Sequence, residues 1–259
     1  MVAADPAKLA QALLAQSAAI RAWLVELPFE AFGRPSVLPG WDVRLLTGHL
    51  LLIHDGLLRL VERPTDSTPL PPHEFVSHYR RDVEDLDAAT TETAADRTPD
   101  ELLTGLDQAI RDLRRRLAEP LPRVIDTPRG PSAVTDFLST RVIELVVHSD
   151  DLSRSLAERE PVPLERKATA IAIRSLTSML AERYPGRSVE VRVPPYAAVQ
   201  CIAGPRHTRG TPPNVVETDP LTFLQLATGR LDWAQALSGG LVRASGSRAD
   251  LSDQLPLLS

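Results

Sequence analysis

Three ionisable residues share one stripe of an otherwise apolar segment, Arg141–Leu152, which reads RVIELVVHSDDL. Glu144 precedes His148 by four residues and Asp151 follows it by three, so all three lie on one face if the segment is helical. Burying an unpaired carboxylate in so apolar a helix would destabilise the fold by roughly several kcal/mol. The pattern therefore predicts a compensating partner, which is an arginine, a polar network or a metal cation.

A second histidine has comparable surroundings. His49 lies in VRLLTGHLLLIHDGLLRL, where leucines three and four positions away share its helical face. Two histidines and a carboxylate on facing helices are a donor set for a divalent first-row metal with open positions. The pattern also fits a simple hydrogen bond between Glu144 and His148, with His49 a satisfied core residue. His54 is off the leucine stripe and beside Asp55, which predicts a surface or rim position.

Long helices must position these residues, and they occupy the first two-thirds of the chain. Apolar residues at helical spacing predict six of them: 5–27, 43–62, 73–95, 99–118, 132–157 and 163–184. Short Pro-rich loops join them, and this organisation is typical of an antiparallel four-helix bundle.

The pattern changes near residue 185. SVEVRV alternates as a half-buried strand does, YAAVQCIA and NVVET are further strand candidates, and LVRASG is a fourth. DPLTFLQLATG, LDWAQAL and SRADLSDQL predict short helices. The sequence therefore predicts the α+β fold class, with a helical domain over 1–185 and a smaller α+β domain over 186–259. Cys201, the single cysteine, is expected to be a buried strand residue.

Composition argues against several functional classes. The net charge of −5 and the pI of about 5.7 disfavour a nucleic acid partner and a polybasic membrane-surface protein. No stretch approaches the roughly eighteen apolar residues of a membrane span, and the N-terminus lacks the pattern of a signal peptide. One cysteine allows no internal disulfide and predicts a cytoplasmic location. Nothing in the sequence predicts the oligomeric state.

The two histidine segments resemble a known family. LPGWDVRLLTGHLLLIHDGLLRL and STRVIELVVHSDDL are similar to the mycothiol-dependent maleylpyruvate isomerase family, an actinobacterial branch of the DinB-like metal-binding four-helix bundles. The family pattern combines a Pro-Gly-Trp turn, a His-Leu pair and an Arg-Val-x-Glu-Leu-x-x-His-x-x-Asp run. The matching residues are Pro39, Gly40, Trp41, His49, Leu50, Arg141, Val142, Glu144, Leu145, His148 and Asp151. The resemblance covers about residues 5–185.

The resemblance implies a metal- and thiol-dependent enzyme. It makes His49, Glu144 and His148 the ligands of a divalent metal, zinc, and mycothiol the thiol cosubstrate. Zinc with three protein ligands keeps a position open, and a thiol that coordinates there loses its proton. The thiolate would add to an electrophilic carbon of a small second substrate. The outcome is thiol transfer, or cis–trans isomerisation if the adduct rotates and eliminates the thiol.

Further residues flank the implied site, although none is assigned a catalytic acid or base role. Asp151 is predicted to fix the tautomer of a ligand histidine from the second shell, or else to be a solvated acid or an arginine partner. Arg141 either orients Glu144 or covers the bundle. Arg80 and Arg81 either bind a carboxylate of the thiol or substrate, or form a solvated charged face.

The C-terminal region resembles the sterol-carrier-like domain that follows the bundle in some of these proteins. VEVRVPPYAAVQCIAGPRHTRGTPPNVVETDPLTFLQLATG carries the resemblance. In sterol carriers this fold encloses an apolar tunnel, which implies an alternative function. The chain would then be a non-catalytic carrier that holds an apolar ligand in the C-terminal domain, with a purely structural bundle. A third hypothesis is a metal-bearing protein that has lost catalysis.

Overall fold

The computed structural model describes residues 5–78, 83–204 and 214–258. The chain forms two compact units, the first comprising Met1–Leu70 and Arg81–Thr169 and the second Pro71–Arg80 and Ala170–Ser259. The domain boundary near residue 185 stays a prediction. Within the described ranges, no helix is both long and apolar enough to cross a membrane.

The predicted fold class is confirmed, with a helical N-terminal region followed by a smaller α+β region. The described helices are α1 (Pro6–Val25), a 3-10 helix (Phe29–Gly33), α2 (Val43–Leu60), α3 (Pro72–Ser77), α4 (Val83–Ala94), α5 (Pro99–Arg116), α6 (Val134–Ser155), α7 (Arg166–Arg183), α8 (Pro220–Ala227) and α9 (Trp233–Ser238). The described strands are β1 (Val124–Thr127), β2 (Gly130–Ala133), β3 (Val189–Val193), β4 (Ala197–Cys201), β5 (Val215–Thr218) and β6 (Val242–Ser245).

Four helices form the bundle that holds the candidate site. α1 packs against α5 and α6, and α2 packs against the same two helices, so α1 and α2 are diagonal partners. α2 begins after Asp42, whose carboxylate accepts a hydrogen bond from the Leu45 N–H at 2.7 Å. α5 begins with a capping box formed by Thr98 and Glu101. These caps fix where the helices begin and hence which residues face the bundle interior.

A β-hairpin precedes α6 where the sequence pattern predicted the start of the helix. β1 and β2 pair in antiparallel register, from Val124 opposite Ala133 to Thr127 opposite Gly130. Gly130 has a φ of +112°, a conformation that favours glycine, and it closes the turn. Because β2 extends to Ala133, α6 begins at Val134, two residues after the predicted start at residue 132.

The predicted last helix, SRADLSDQL, is wrong. This segment forms turns, with the N–H groups of Gln254 and Leu255 both bonded to the Leu251 carbonyl. Pro256 follows directly and has no N–H to continue a helix. The predicted helix over 73–95 corresponds to α3 and α4, and residues 79–82 lie outside the described ranges.

The second unit contains a four-stranded sheet in the order β4-β3-β5-β6. β3 and β5 pair in parallel, and the other two pairs are antiparallel. Val189, Val191 and Val193 alternate on the buried face, as the SVEVRV pattern predicted. Cys201 ends β4 and is buried, and burial raises the pKa of its thiol to about 11.

His54 is buried in the bundle, so the predicted surface or rim position is wrong. The residue is 2% exposed, and its Nδ1 donates to the Leu50 carbonyl at 2.6 Å. Its Nε2 lies 2.8 Å from the hydroxyl of Ser17 on α1. Because α1 is the diagonal partner of α2, this contact points His54 into the centre of the bundle. Desolvation by burial lowers the pKa of His54 to about 4.

We expect His54 to make the stability of the chain depend on pH. Its folded pKa of about 4 is below the ordinary 6.5, so the unfolded chain binds the proton more readily. The contribution of neutral His54 to the free energy of unfolding is therefore complete above pH 6.5 and is lost as the pH falls towards 4. The loss is roughly 2 kcal/mol by about pH 5 and roughly 3 kcal/mol in full.

Denaturant unfolding of the native chain and of His54→Gln, at about pH 7.5 and about pH 5, measures this contribution. The native chain should lose more unfolding free energy than the variant over this interval. An equal loss in both proteins would contradict the assignment.

Candidate functional site

His49 of α2 and His148 of α6 meet inside the bundle. Their ring centroids are 4.8 Å apart, and the ring planes cross at 85°. The two residues are only 4% and 6% exposed. Buried polar atoms need hydrogen-bonding partners, so the surroundings of these two rings determine their chemistry.

A carboxylate holds His148 from the next turn of α6. The Nδ1 of His148 lies 3.0 Å from Oδ2 of Asp151, which is fully buried. The other oxygen of Asp151 accepts from Nη2 of Arg154 at 2.9 Å. Since an ionised carboxylate can only accept, Nδ1 carries the hydrogen and the lone pair is on Nε2. Asp151 therefore contacts both a histidine and an arginine, and its role beside a metal stays a prediction.

The other histidine is held from α4. Nδ1 of His49 lies 3.1 Å from the hydroxyl of Thr90. The ring of Trp41 lies 5.2 Å from the His49 ring, and its indole Nε1 donates to Oδ1 of Asp87 at 2.6 Å. Thr90 and Asp87 are three residues apart and so share one face of α4. The sequence predicts neither contact, because Asp87 follows Trp41 by 46 residues and Thr90 follows His49 by 41.

Gly48 allows α4 to pack closely against α2. A Cβ atom at Gly48 would lie 2.8 Å from Cβ of Ala94, closer than such atoms normally approach. Nη1 of Arg44 donates to the carbonyl of Ala94 at 2.5 Å. These two contacts attach the last turn of α4 to α2, and Thr90 lies one turn earlier.

Glu144 has one paired and one unpaired carboxylate oxygen. Oε1 accepts from Nη2 of Arg141 at 2.8 Å, and the guanidinium of Arg141 also lies over the Phe137 ring at 4.7 Å. Oε2 is buried and has no hydrogen-bond partner within the part of the chain that the structure describes. A buried acceptor of this kind is costly and is therefore a candidate ligand atom.

The predicted metal ligands do not form a closed cluster. In residues 5–78, 83–204 and 214–258, no group of three or more His, Cys, Asp or Glu side chains is arranged to hold a metal ion. The donor types still fit a divalent metal, because two imidazoles meet and Oε2 of Glu144 is a buried acceptor with no partner among the described residues. The assignment of His49, Glu144 and His148 stays a prediction. Arg80 and Arg81, the predicted substrate-binding residues, lie outside the described residues.

Residues 13–153 match the family model described as the mycothiol maleylpyruvate isomerase N-terminal domain. The chain belongs to this family. Both histidines, Trp41 and Thr90 fall within the matched residues. Residues 165–257 match a second model, described as a bacterial SCP ortholog. The family resemblance and the sterol-carrier-like C-terminal region predicted from the sequence are therefore confirmed.

Two solved structures share the fold of this member of the mycothiol maleylpyruvate isomerase family. A crystal structure of the mycothiol-dependent maleylpyruvate isomerase has a TM-score of 0.60 and 14% identity, with 95% of each chain covered. A crystal structure of a histidine-to-alanine mutant of that isomerase has a TM-score of 0.63 and 15% identity, again with 95% of each chain covered. Identities this low show the fold alone. No curated protein matches the sequence.

We expect Gly48→Ala to loosen the contact between α2 and α4. Overpacking costs roughly 1–3 kcal/mol, and the gain in helix propensity offsets about 1 kcal/mol of this. Gly56→Ala is the matched control, since Gly56 is also in α2 and a Cβ there meets nothing within 4 Å. The control should gain up to about 1 kcal/mol of stability. Denaturant unfolding compares the two, and equal stabilisation by both would contradict the close packing at Gly48.

Proposed function

We propose that this chain is a mycothiol-dependent isomerase or transferase whose reaction centre lies at His49 and His148. The observation that carries the proposal is the buried contact of two imidazoles, each with Nδ1 hydrogen-bonded to a neighbouring side chain. Membership of the mycothiol maleylpyruvate isomerase family supports mycothiol as the cosubstrate. Its small-molecule partners are this thiol and an electrophilic second substrate.

The proposal includes a divalent metal, which we take to be zinc. His49, Glu144 and His148 would hold it, and the buried Oε2 atom of Glu144 supports this choice of carboxylate. A divalent metal lowers the pKa of a coordinated thiol, so that the thiol is deprotonated at neutral pH.

The residues of the chain prepare the ligand atoms. Asp151 accepts the hydrogen of Nδ1 in His148, which leaves the lone pair of this histidine on Nε2. Arg154 contacts the other oxygen of Asp151 at 2.9 Å and so holds this carboxylate beside His148. Arg141 holds Oε1 of Glu144 and leaves Oε2 for a ligand. The imidazoles are thus presented in a water-poor interior, where electrostatic interactions are stronger than at the surface.

The nucleophile is the external thiol and not a side chain of the protein. Cys201 is the single cysteine, and it is buried at the end of β4. Burial raises the pKa of its thiol to about 11, so it is protonated at neutral pH. A reactive thiolate must therefore come from the cosubstrate.

The reaction needs no oxidant or reductant. The thiolate adds to a carbon–carbon double bond conjugated to a carbonyl, and the electron pair moves to the carbonyl oxygen. The former double bond can then rotate. Elimination of the thiolate restores the double bond in the other geometry, whereas protonation of the adduct gives the thiol-transfer product. Arg80 and Arg81 remain candidates for binding a substrate carboxylate, and the cytoplasmic location also remains a prediction.

No specific observation favours the alternative, a non-catalytic carrier of an apolar ligand. The second unit has an open surface depression of about 400 Å³, lined by Arg192, Pro194, Pro195, Tyr196, Ala197, Ala198 and Glu217. This depression is open to solvent, so it does not enclose an apolar ligand as a tunnel would.

We expect Glu144→Gln to weaken metal binding without unfolding the bundle, because the amide keeps the shape of the side chain and loses its charge. Cobalt affinity should fall by roughly tenfold or more. Asp107→Asn, on α5 of the same bundle, removes a carboxylate that is also paired with an arginine, Arg21 at 2.7 Å, and lies outside the ligand set, so it should leave the affinity near that of the native chain. Metal stoichiometry and melting temperature are measured on the same preparations. Unchanged metal content with lower stability would make Glu144 only a partner of Arg141.

We expect the metal to keep a position that a small thiol can reach. In a cobalt-substituted sample, mycothiol should produce a sulfur-to-cobalt charge-transfer band, since only three protein ligands are assigned. Absorption spectroscopy with and without the thiol measures this. A closed four-ligand site that includes Asp151, with no response to any thiol, would make the metal structural and refute the proposed function.

A further inference from the structure

We propose that Trp41 is a positioning residue that fixes the orientation of the His49 ring. This inference rests on the proposed function, because it takes His49 as a metal ligand. The ring centroids of Trp41 and His49 are 5.2 Å apart, and the ring planes cross at 59°. This separation is within the range of favourable aromatic pairs. Together with His148, Trp41 gives the His49 imidazole two ring neighbours.

His49 needs such a contact because the torsions of a histidine do not fix the plane of its ring. The χ2 torsion has broad energy wells, so the ring can turn about the Cβ–Cγ bond unless its neighbours prevent this. A hydrogen bond weakens steeply only when its angle falls below about 120°. The 3.1 Å contact of Nδ1 with Thr90 therefore leaves the ring some freedom to tilt. A metal ligand must be oriented to within roughly 10–20°, which requires packing as well.

Trp41 is itself held by both its backbone and its side chain. Its N–H donates to the Leu38 carbonyl at 3.1 Å, and its carbonyl accepts from the Ser36 N–H at 2.8 Å. Gly40, in the turn directly before it, has a φ of +80°, a conformation that favours glycine. The indole Nε1 donates to Oδ1 of Asp87 at 2.6 Å. An indole N–H can only donate, so the direction of this bond is determined by its chemistry.

The indole reaches from the buried imidazole to the surface of the bundle. Trp41 is half-buried, its partner Asp87 on α4 is exposed, and His49 is only 4% exposed. The ring system thus packs beside His49 while its N–H is anchored to a separate helix. A neighbour that is fixed in this way resists the turning of the His49 ring.

Carbon-13 relaxation and relaxation dispersion of the histidine rings, in the full-length metal-free protein, measure this restraint on fast and slow timescales. The native chain should show a rigid His49 ring, and Trp41→Leu, which removes the indole, should show a mobile one. Trp41→Phe and Asp87→Ala each remove only the anchoring bond. Each should give a smaller increase in mobility, and the double variant should add little, because both changes remove one interaction. A His49→Asn sample identifies the signals.

Trp23→Leu is the matched control. Trp23 of α1 is also half-buried, and its Nε1 donates to the Glu160 carbonyl at 2.8 Å. The control loses the same side chain and the same kind of hydrogen bond, and it should leave the His49 ring rigid. Equal His49 mobility in the native chain and in both Trp41 variants, or an equal increase in Trp23→Leu, would overturn the proposal. Trp41→Phe decides the test if Trp41→Leu does not fold.

Cobalt titration of the same proteins supplies the second readout. Trp41→Leu should bind cobalt roughly tenfold or more weakly, whereas Trp23→Leu should keep the affinity of the native chain. Equal affinity in the native chain and in both Trp41 variants would remove the positioning role. Absence of cobalt binding by the native chain would instead refute the proposed function, while the metal-free relaxation would still decide whether Trp41 holds the ring.

Discussion

The burial of two imidazole rings in an apolar helical bundle is the constraint on which the rest of the site depends. The ring centroids of His49 and His148 are 4.8 Å apart, and both residues are almost completely excluded from water. Each polar atom around them must therefore find a partner inside the protein. His148 requires Asp151, and Asp151 in turn requires Arg154. Nδ1 of His49 lies 3.1 Å from the Thr90 hydroxyl of α4, and Gly48 allows α4 to pack closely against α2 beside this contact.

Periodicity predicted the part of the site that lies within one helix. The spacing of Glu144, His148 and Asp151 places them on one face of α6, and the contact between His148 and Asp151 is present. The helix bounds were also close to those observed, because caps and prolines mark them in the sequence. Alternating valines predicted β3 for a similar reason, since side chains alternate between the two faces of a strand.

The parts that escaped prediction depend on contacts between distant segments. Thr90 follows His49 by 41 residues and lies in a polar segment, so nothing local marks it as a partner. The sequence predicted a surface or rim position for His54 because only the leucine-bearing face of α2 was expected to be buried. The helix is buried on several sides, against α4, α5 and α6, and His54 reaches Ser17 on the diagonal helix. A single amphipathic face is therefore a poor guide to burial for a helix inside a bundle.

The central claim is that His49 and His148 bind one metal ion together. Crystallography of zinc-loaded protein, with anomalous scattering measured at the zinc absorption edge, tests it most directly. The account predicts one strong anomalous peak within bonding distance of both histidines and of Glu144. A peak at other side chains, or a zinc-loaded crystal in which the two imidazoles contact each other with no metal between them, would contradict it.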